Sequence, residues 1–264
     1  MARVRRVLSL LAVALCLSAC GGGSGDPQTT TTAAAKRPLP SFAGARARTL
    51  AAGTARVVQT TAIVLSGTRV EAHDRGTLSL DGSRAHLYRL SPGQSIPGEV
   101  IVDGPITYSN ANVQAAISSP DVQPWTRVDR RRLTAKEKAQ HPDEVAHALT
   151  PLYLAYGART VKLDRRVADG ALYWARIDPE LVRQRVPAAR RALVGESLRG
   201  DYPAADFNAK LWIDGADRIR RVIVGYTTAK GTPIAVDTSY DSFGTAVDVT
   251  PPPVRSTKDL TPRR

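Results

Sequence analysis

The sequence contains very little cysteine, and this restricts how the fold can be stabilised. Cys16 and Cys20 are its only two cysteines among 264 residues. Removal of an N-terminal signal segment would leave Cys20 alone, so the folded part could form no internal disulfide. Its stability must then come from the burial of apolar side chains, which requires a large core.

Long apolar runs are also scarce. The run at residues 7–19 has 13 residues, whereas a membrane-spanning helix needs about 20. Arg3, Arg5 and Arg6 precede this run, and small residues end it. A basic segment, an apolar segment and small residues in this order are typical of a secretory signal peptide.

The signal segment ends in Leu-Ser-Ala-Cys at residues 17–20, which resembles the bacterial lipobox. The resemblance implies that residues 1–19 form a lipoprotein signal peptide and that Cys20 becomes lipidated. The mature protein would then be extracytoplasmic and anchored to the cell membrane by this lipid. A plain secretory signal without a lipid is the alternative, because small residues also precede ordinary cleavage sites.

Acidic residues are few compared with cations. The chain has 37 Lys and Arg against 24 Asp and Glu, a net charge of +13. For an exported protein, this favours anionic lipid headgroups or envelope polymers as partners, and nucleic acid is not expected. Arginines spread along the whole chain also fit an ordinary solvated surface, and only residues 130–132 form a local cluster. Protein partners are not indicated.

Composition divides the mature chain into three parts. Residues 20–40 are rich in Gly, Thr, Ala and Pro and have no apolar period, which predicts a flexible tether. Residues 251–264 begin with three prolines, and we predict a disordered tail there. Residues 41–250 are enough for one large domain.

Alternating apolar residues predict strands over much of this domain, from residues 54–65 to residues 245–249. Asp-Gly pairs at 81–82, 103–104, 169–170 and 214–215 separate apolar runs. Because Asp-Gly suits the type I′ turn, these pairs predict antiparallel hairpins. Asp74 and Gly76 interrupt the apolar face of the second strand, where a bulge or bend is expected.

Helices are predicted before the strands and in the middle of the chain. Residues 42–52 fit a short helix, Thr134 and Glu137 form a capping box, and Asp178-Pro179 begins a longer helix. The fold class is therefore α+β. We expect a curved antiparallel half-barrel sheet of about ten strands, with helices covering its concave face.

No catalytic or metal-binding pattern stands out. Glu144 and His147 are three residues apart and could share a helix face, but a surface ion pair is the commoner explanation. Glycine loops that bind phosphates or dinucleotides are missing from the sequence. The sequence thus predicts a protein that is not an enzyme and has no cofactor or metal site. Trp125, Trp174 and Trp212 all lie on predicted strands, where they could line an apolar cavity or fill a core.

The order of a lipobox, a tether, a strand meander, helices and further strands resembles the LolA-like superfamily. Within it, the chain is similar to envelope lipoproteins of the LppX and LprG type, over roughly residues 41–252. The supporting segments are Trp-Thr-Arg-Val-Asp at 125–129, Ala-Lys-Leu-Trp-Ile-Asp at 209–214 and Tyr-Asp-Ser-Phe-Gly at 240–244.

This resemblance implies a half-open barrel whose concave face, lidded by helices, holds acyl chains. The family's ligands are triacylated lipids, glycolipids or lipoproteins carried across the envelope. If such a cavity exists, the candidates to line it are the residues of the apolar strand faces: Val70, Leu78, Leu80, Leu172, Trp174, Leu211, Ile213 and Val236.

Two functional hypotheses follow. The first is a membrane-anchored lipoprotein that binds, and could transfer, lipid or glycolipid in an apolar cavity. The second is an envelope sensor or protein-interaction lipoprotein of the same fold with a filled core.

Overall fold

The computed structural model describes residues 42–110, 123–141, 143–200, 202–203, 205–228 and 231–262. The predicted signal peptide, Cys20 and the tether lie outside the described residues. The described segments belong to one compact unit, Leu39–Arg264. Within these segments, no helix combines the length and the apolar character needed to cross a bilayer.

The strands of the described segments form one curved sheet that does not close. The strands are β1 (Thr54–Leu65), β2 (Thr68–Ser79), β3 (Arg84–Leu90), β4 (Gly98–Asp103), β5 (Ile106–Ser109), β6 (Trp125–Asp129), β7 (Ala158–Val167), β8 (Gly170–Ile177), β9 (Phe207–Asp214), β10 (Ile219–Thr227), β11 (Pro233–Asp241) and β12 (Thr257–Asp259). Their order is β12-β6-β5-β4-β3-β2-β1-β11-β10-β9-β8-β7. The predicted α+β class with a curved antiparallel sheet is confirmed, with twelve strands where about ten were expected.

All four predicted Asp-Gly hairpins are present. The pairs connect β2 to β3, β4 to β5, β7 to β8, and β9 to β10, and each of these strand pairs is antiparallel. Gly82 and Gly104 have φ values of 76° and 56°, which suit glycine because it has no Cβ. The hairpins are therefore confirmed, but the type I′ conformation is wrong, because none of the four aspartates has a positive φ. Local turn chemistry placed these four turns without fixing their type.

Gly76 causes a close approach between strands in place of the predicted bulge. The register of β2 with β1 and with β3 runs through Gly76 without a shift. Its φ is 157°, and a Cβ added there would lie 2.0 Å from the carbonyl oxygen of His86. Only glycine leaves room for the backbone of β3 at this position.

The helices are α1 (Phe42–Ala51), α2 (Ala135–Gln140), α3 (Ala146–Tyr153), α4 (Pro179–Arg185) and α5 (Arg191–Gly200). The predicted capping box is confirmed, because Thr134 Oγ1 accepts from the Glu137 amide and the Glu137 carboxylate accepts from the Thr134 amide. Asp178 caps α4, with Pro179 in the first turn. Pro187 divides the predicted longer helix into α4 and α5.

Helices α1 and α3 pack against one face of the sheet, which we call the inner face. The Tyr240 hydroxyl of β11 donates to the carbonyl of Ala148 at 2.7 Å, and the Tyr153 hydroxyl donates to the carbonyl of Leu80 at 3.0 Å. The Ile219 amide of β10 donates to Thr49 Oγ1 of α1 at 2.7 Å. These three bonds attach the helices to the end of the sheet near Leu80 and Tyr240.

Two predictions for the C-terminal region were wrong. Residues 245–249 form no strand. Residues 251–262 of the predicted disordered tail are ordered, because Thr257–Asp259 pairs with β6 as the parallel strand β12. Thr261 is buried, and its Oγ1 accepts a bond of 2.9 Å from the Asp129 amide. The order comes from a distant strand edge with free hydrogen-bonding groups, which composition does not reveal.

Candidate functional site

One end of the inner face is filled by protein. Leu78, Leu80, Leu211 and Ile213 are at most 1% exposed and belong to one core cluster. Side chains from α3 and α5 complete this cluster. We call this region the covered end, and its side chains occupy the space between the sheet and the helices.

A belt of buried polar groups crosses the inner face next to the covered end. Arg89 Nε donates to Asp74 Oδ1 at 2.7 Å, and Arg89 Nη1 donates to Glu144 Oε2 at 2.5 Å. Burial by itself would lower the pKa of Arg89, but the two carboxylates outweigh it and raise that pKa. Because Glu144 lies just before α3, this polar belt ties the start of the helix to β2 and β3.

The polar belt continues on β1 and β11 through neutral groups. Thr238 Oγ1 donates to Gln59 Oε1 at 3.2 Å, and Gln59 Nε2 donates to Thr61 Oγ1 at the same distance. Thr238 and Gln59 are almost completely buried. Their bonds satisfy polar groups that would otherwise destabilise the interior.

Apolar side chains lie on the inner face beyond the polar belt. Ile63 pairs directly with Val70 on one side and with Ile234 on the other, so the three side chains are cross-strand neighbours. All three are half-buried. Val236 beside them is 5% exposed and belongs to the same core cluster as the covered end, and Ile234 packs against that cluster. They lie at the strand ends opposite to the helix attachments at Tyr240 and Leu80. We call these four residues the open end.

A polar recess adjoins the polar belt on the other side. It has a volume of about 130 Å³ and is lined by Thr107, Ser109 and Thr126 of β5 and β6, together with His141 and Glu144. Glu144 belongs to both the polar belt and this recess. Across the sheet, the inner face thus changes from hydroxyl groups through a partly buried arginine to aliphatic side chains.

The structure does not bring the eight sequence-predicted cavity residues together. Leu78, Leu80, Leu211 and Ile213 lie in the covered end, and Val70 and Val236 lie in the open end. Leu172 and Trp174 lie on the opposite, outer face, because β8 turns Ala171, Tyr173 and Ala175 inward. Apolar residues occupy both faces of β8, so their alternation could not show which face is buried.

Sequence reasoning missed Ile63, Ile234 and the Arg89 ion pairs. Both isoleucines lie within predicted strands, but nothing in their pattern separates the open end from the covered end. No local pattern predicted the ion pairs of Arg89, since its partners are 15 and 55 residues away in sequence. Glu144 and His147 do not share a helix as considered above, because α3 begins at Ala146. The described residues contain no group of three or more His, Cys, Asp or Glu suited to a metal ion.

The comparisons with known proteins found similar solved structures but no similar sequences. No protein-family model matches the sequence, and no curated protein matches it. Among solved structures, the chain is similar to the lipoprotein LppX of Mycobacterium tuberculosis. The TM-score is 0.44 and the identity 12%, over 80% of this chain and 99% of LppX.

Two further structures show a similar course of the chain. An uncharacterised conserved protein from Thermus thermophilus has a TM-score of 0.39 and 9% identity, over 82% of this chain and 98% of its own. A LolA superfamily protein from Nitrosomonas europaea has a TM-score of 0.27 and 11% identity, over 74% and 91%.

Proposed function

We propose that this protein is a non-enzymatic lipoprotein, anchored outside the cell membrane, that binds one amphiphilic lipid on the inner face of its sheet. The observation that carries the proposal is the order of groups on that face. The aliphatic open end adjoins the polar belt, and the belt adjoins a recess lined by hydroxyl groups. An amphiphile has the same order of apolar and polar parts.

The open end would bind the acyl part of the lipid. Burial of apolar surface contributes about 25 cal/mol per Å², and Ile63, Val70 and Ile234 are only half-buried without a ligand. The covered end leaves no such surface, so the ligand would extend away from the helices. Arg89 and the threonine hydroxyls of the recess would select the polar part.

The N-terminal pattern supports the anchor. Lipidation of Cys20 after removal of residues 1–19 would leave a tether of about 20 residues before the domain. A flexible chain of that length holds its ends about 25 Å apart. The domain could then collect lipid at the membrane surface, and transfer of that lipid would be an extension of binding.

Binding can be tested on the compact unit Leu39–Arg264, which contains the whole described core. The probe is parinaric acid, a fluorescent fatty acid, measured by titration. The double variant Ile63→Ser, Ile234→Ser should weaken binding about tenfold or more, because two apolar contacts are lost. The matched control is Val58→Ser, Val64→Ser, which changes exposed outer-face positions of β1.

Equal affinity of the two double variants, or no binding by the unmodified unit, would overturn the proposal.

The second hypothesis, a protein-interaction module with a filled core, is favoured by one observation. Leu78, Leu211 and Ile213 are completely buried beneath the helices. Under that hypothesis, native mass spectrometry of the unit secreted by a bacterial host should show no bound lipid.

A further inference from the structure

The outer face of the sheet has an aromatic surface that the proposed function does not use. Trp174 of β8 is 40% exposed there. It borders a groove of about 310 Å³, and its neighbours Leu172, Trp212 and Ile223 line a second groove of about 300 Å³. Trp174 is exposed and Trp212 is partly buried. An exposed tryptophan beside aliphatic side chains on a sheet face is typical of a surface that contacts a membrane or another protein.

Cations surround these tryptophans. Lys210 Nζ lies 4.5 Å from the centre of the Trp174 ring. Lys162 is directly opposite Trp174, and Arg165 is directly opposite Leu172, on the neighbouring strand β7. We call Lys162, Arg165, Leu172, Trp174, Lys210 and Trp212 the outer patch.

The charge of the outer patch is not neutralised within the described part of the chain. Lys162 and Arg165 form no salt bridge with any residue described there, whereas Arg176 pairs with Asp206 and Arg221 pairs with Asp237 at the margins. Strand β7, at one end of the sheet, contains four cations and a single carboxylate, Asp164. The patch is therefore net positive.

We propose that the outer patch docks the domain on an anionic lipid bilayer. Tryptophan favours the headgroup layer because its ring is apolar and its nitrogen is polar. Each lysine or arginine near the surface adds attraction to anionic lipids. An acidic protein would match the charges of the patch as well, and that alternative corresponds to a unit that does not bind anionic vesicles in the test below. The docking is independent of any lipid bound on the inner face.

The test is sedimentation of the unit Leu39–Arg264 with vesicles of phosphatidylcholine, with and without phosphatidylglycerol. The unit lacks Cys20, so no anchor contributes to binding. We expect binding to the anionic vesicles only, and weaker binding at high salt. The triple variant Lys162→Gln, Arg165→Gln, Lys210→Gln should bind about 100-fold more weakly.

The matched control removes the same charge elsewhere, through Arg75→Gln, Arg84→Gln and Lys258→Gln at exposed positions. This control should bind the anionic vesicles within about threefold of the unmodified unit. Its substitutions lie outside the outer patch and reduce only the long-range attraction to the vesicle. Acyl-brominated phosphatidylglycerol should quench Trp174, so Trp174→Phe should remove most of the quenching and Trp125→Phe little of it. Equal losses in both triple variants, binding to neutral vesicles, or no binding to anionic vesicles would overturn the proposal. A fall in parinaric acid binding alone would concern the inner face and leave this proposal standing.

Discussion

The covered end and the open end lie on the same face of the sheet and share strand β2. Leu78 and Val70 are both inner-facing residues of β2, eight positions apart. Leu78 is completely buried, whereas Val70 is half-buried. The alternation of the strand is the same at both ends, and the difference is that α1 and α3 are attached near only one of them. Burial here is decided by what packs on the strand.

The largest effect is expected at the boundary between the two ends. Arg89→Met should lower the free energy of unfolding by about 4 kcal/mol, because the buried Asp74 and the partly buried Glu144 would both lose their ion-pair partner. Urea denaturation of the Leu39–Arg264 unit measures the change.

The control for this variant is Arg75→Met, at an exposed position of β2. It should change the free energy of unfolding by less than about 0.5 kcal/mol. Similar losses in the two variants would mean that the polar belt does not join the helices to the sheet.

A smaller change in the free energy of unfolding should distinguish the covered end from the open end directly. Leu78→Ala should cost about 3 kcal/mol, because it leaves a cavity in a closely packed core. Val70→Ala should cost about 1 kcal/mol or less, because solvent already reaches that side chain. Both changes can be measured by the same denaturation. A cost for Val70→Ala as large as that for Leu78→Ala would show that the open end is a packed core as well.

The smallest expected effect is a difference in acid stability between the apolar covered end and the β12 edge, which is held by polar groups. A hydrogen bond from Arg131 lowers the pKa of Asp129 to about 2, below its ordinary value of 3.8. The ionised form is therefore favoured in the folded state, and its contribution is lost as the pH falls from about 4 to about 2. The aliphatic side chains of the covered end do not titrate.

Hydrogen exchange can measure this difference. The Leu260 amide donates to the carbonyl of Arg127 at 2.9 Å and reports on the β12 edge, whereas the Val222 amide lies inside the sheet. After correction for the intrinsic pH dependence, Leu260 should lose protection in acid before Val222 does. Loss of protection at both amides at the same pH would mean that β12 and the interior of the sheet open together. The β12 edge would then not differ from the covered end in its sensitivity to acid.

Local signals predicted much of the framework. The four Asp-Gly pairs placed four hairpins, and Thr134 with Glu137 placed the start of α2, because each depends on residues at most three positions apart. The same kind of signal failed for residues 251–262. Their prolines indicated disorder, but the free edge of β6 is more than 120 residues away in sequence and gives them pairing partners.

The candidate site was less predictable. Of the predicted cavity residues, Val70 and Val236 lie on the inner face at the open end, whereas Leu172 and Trp174 fall on the other face, since β8 has apolar residues on both of its faces. The Arg89 pairs depend on contacts with two distant segments, which no local pattern encodes.

The sequence alone determined the class of the fold, four of the turns between successive strands and the alternation of side chains along each strand. These features depend on backbone preferences and on neighbours within a few residues. Tertiary structure alone decided which end of the inner face is filled, which face Trp174 occupies and where Arg89 finds its carboxylates. Burial and charge pairing depend on which distant segments meet, and that is settled only when the helices pack on the sheet.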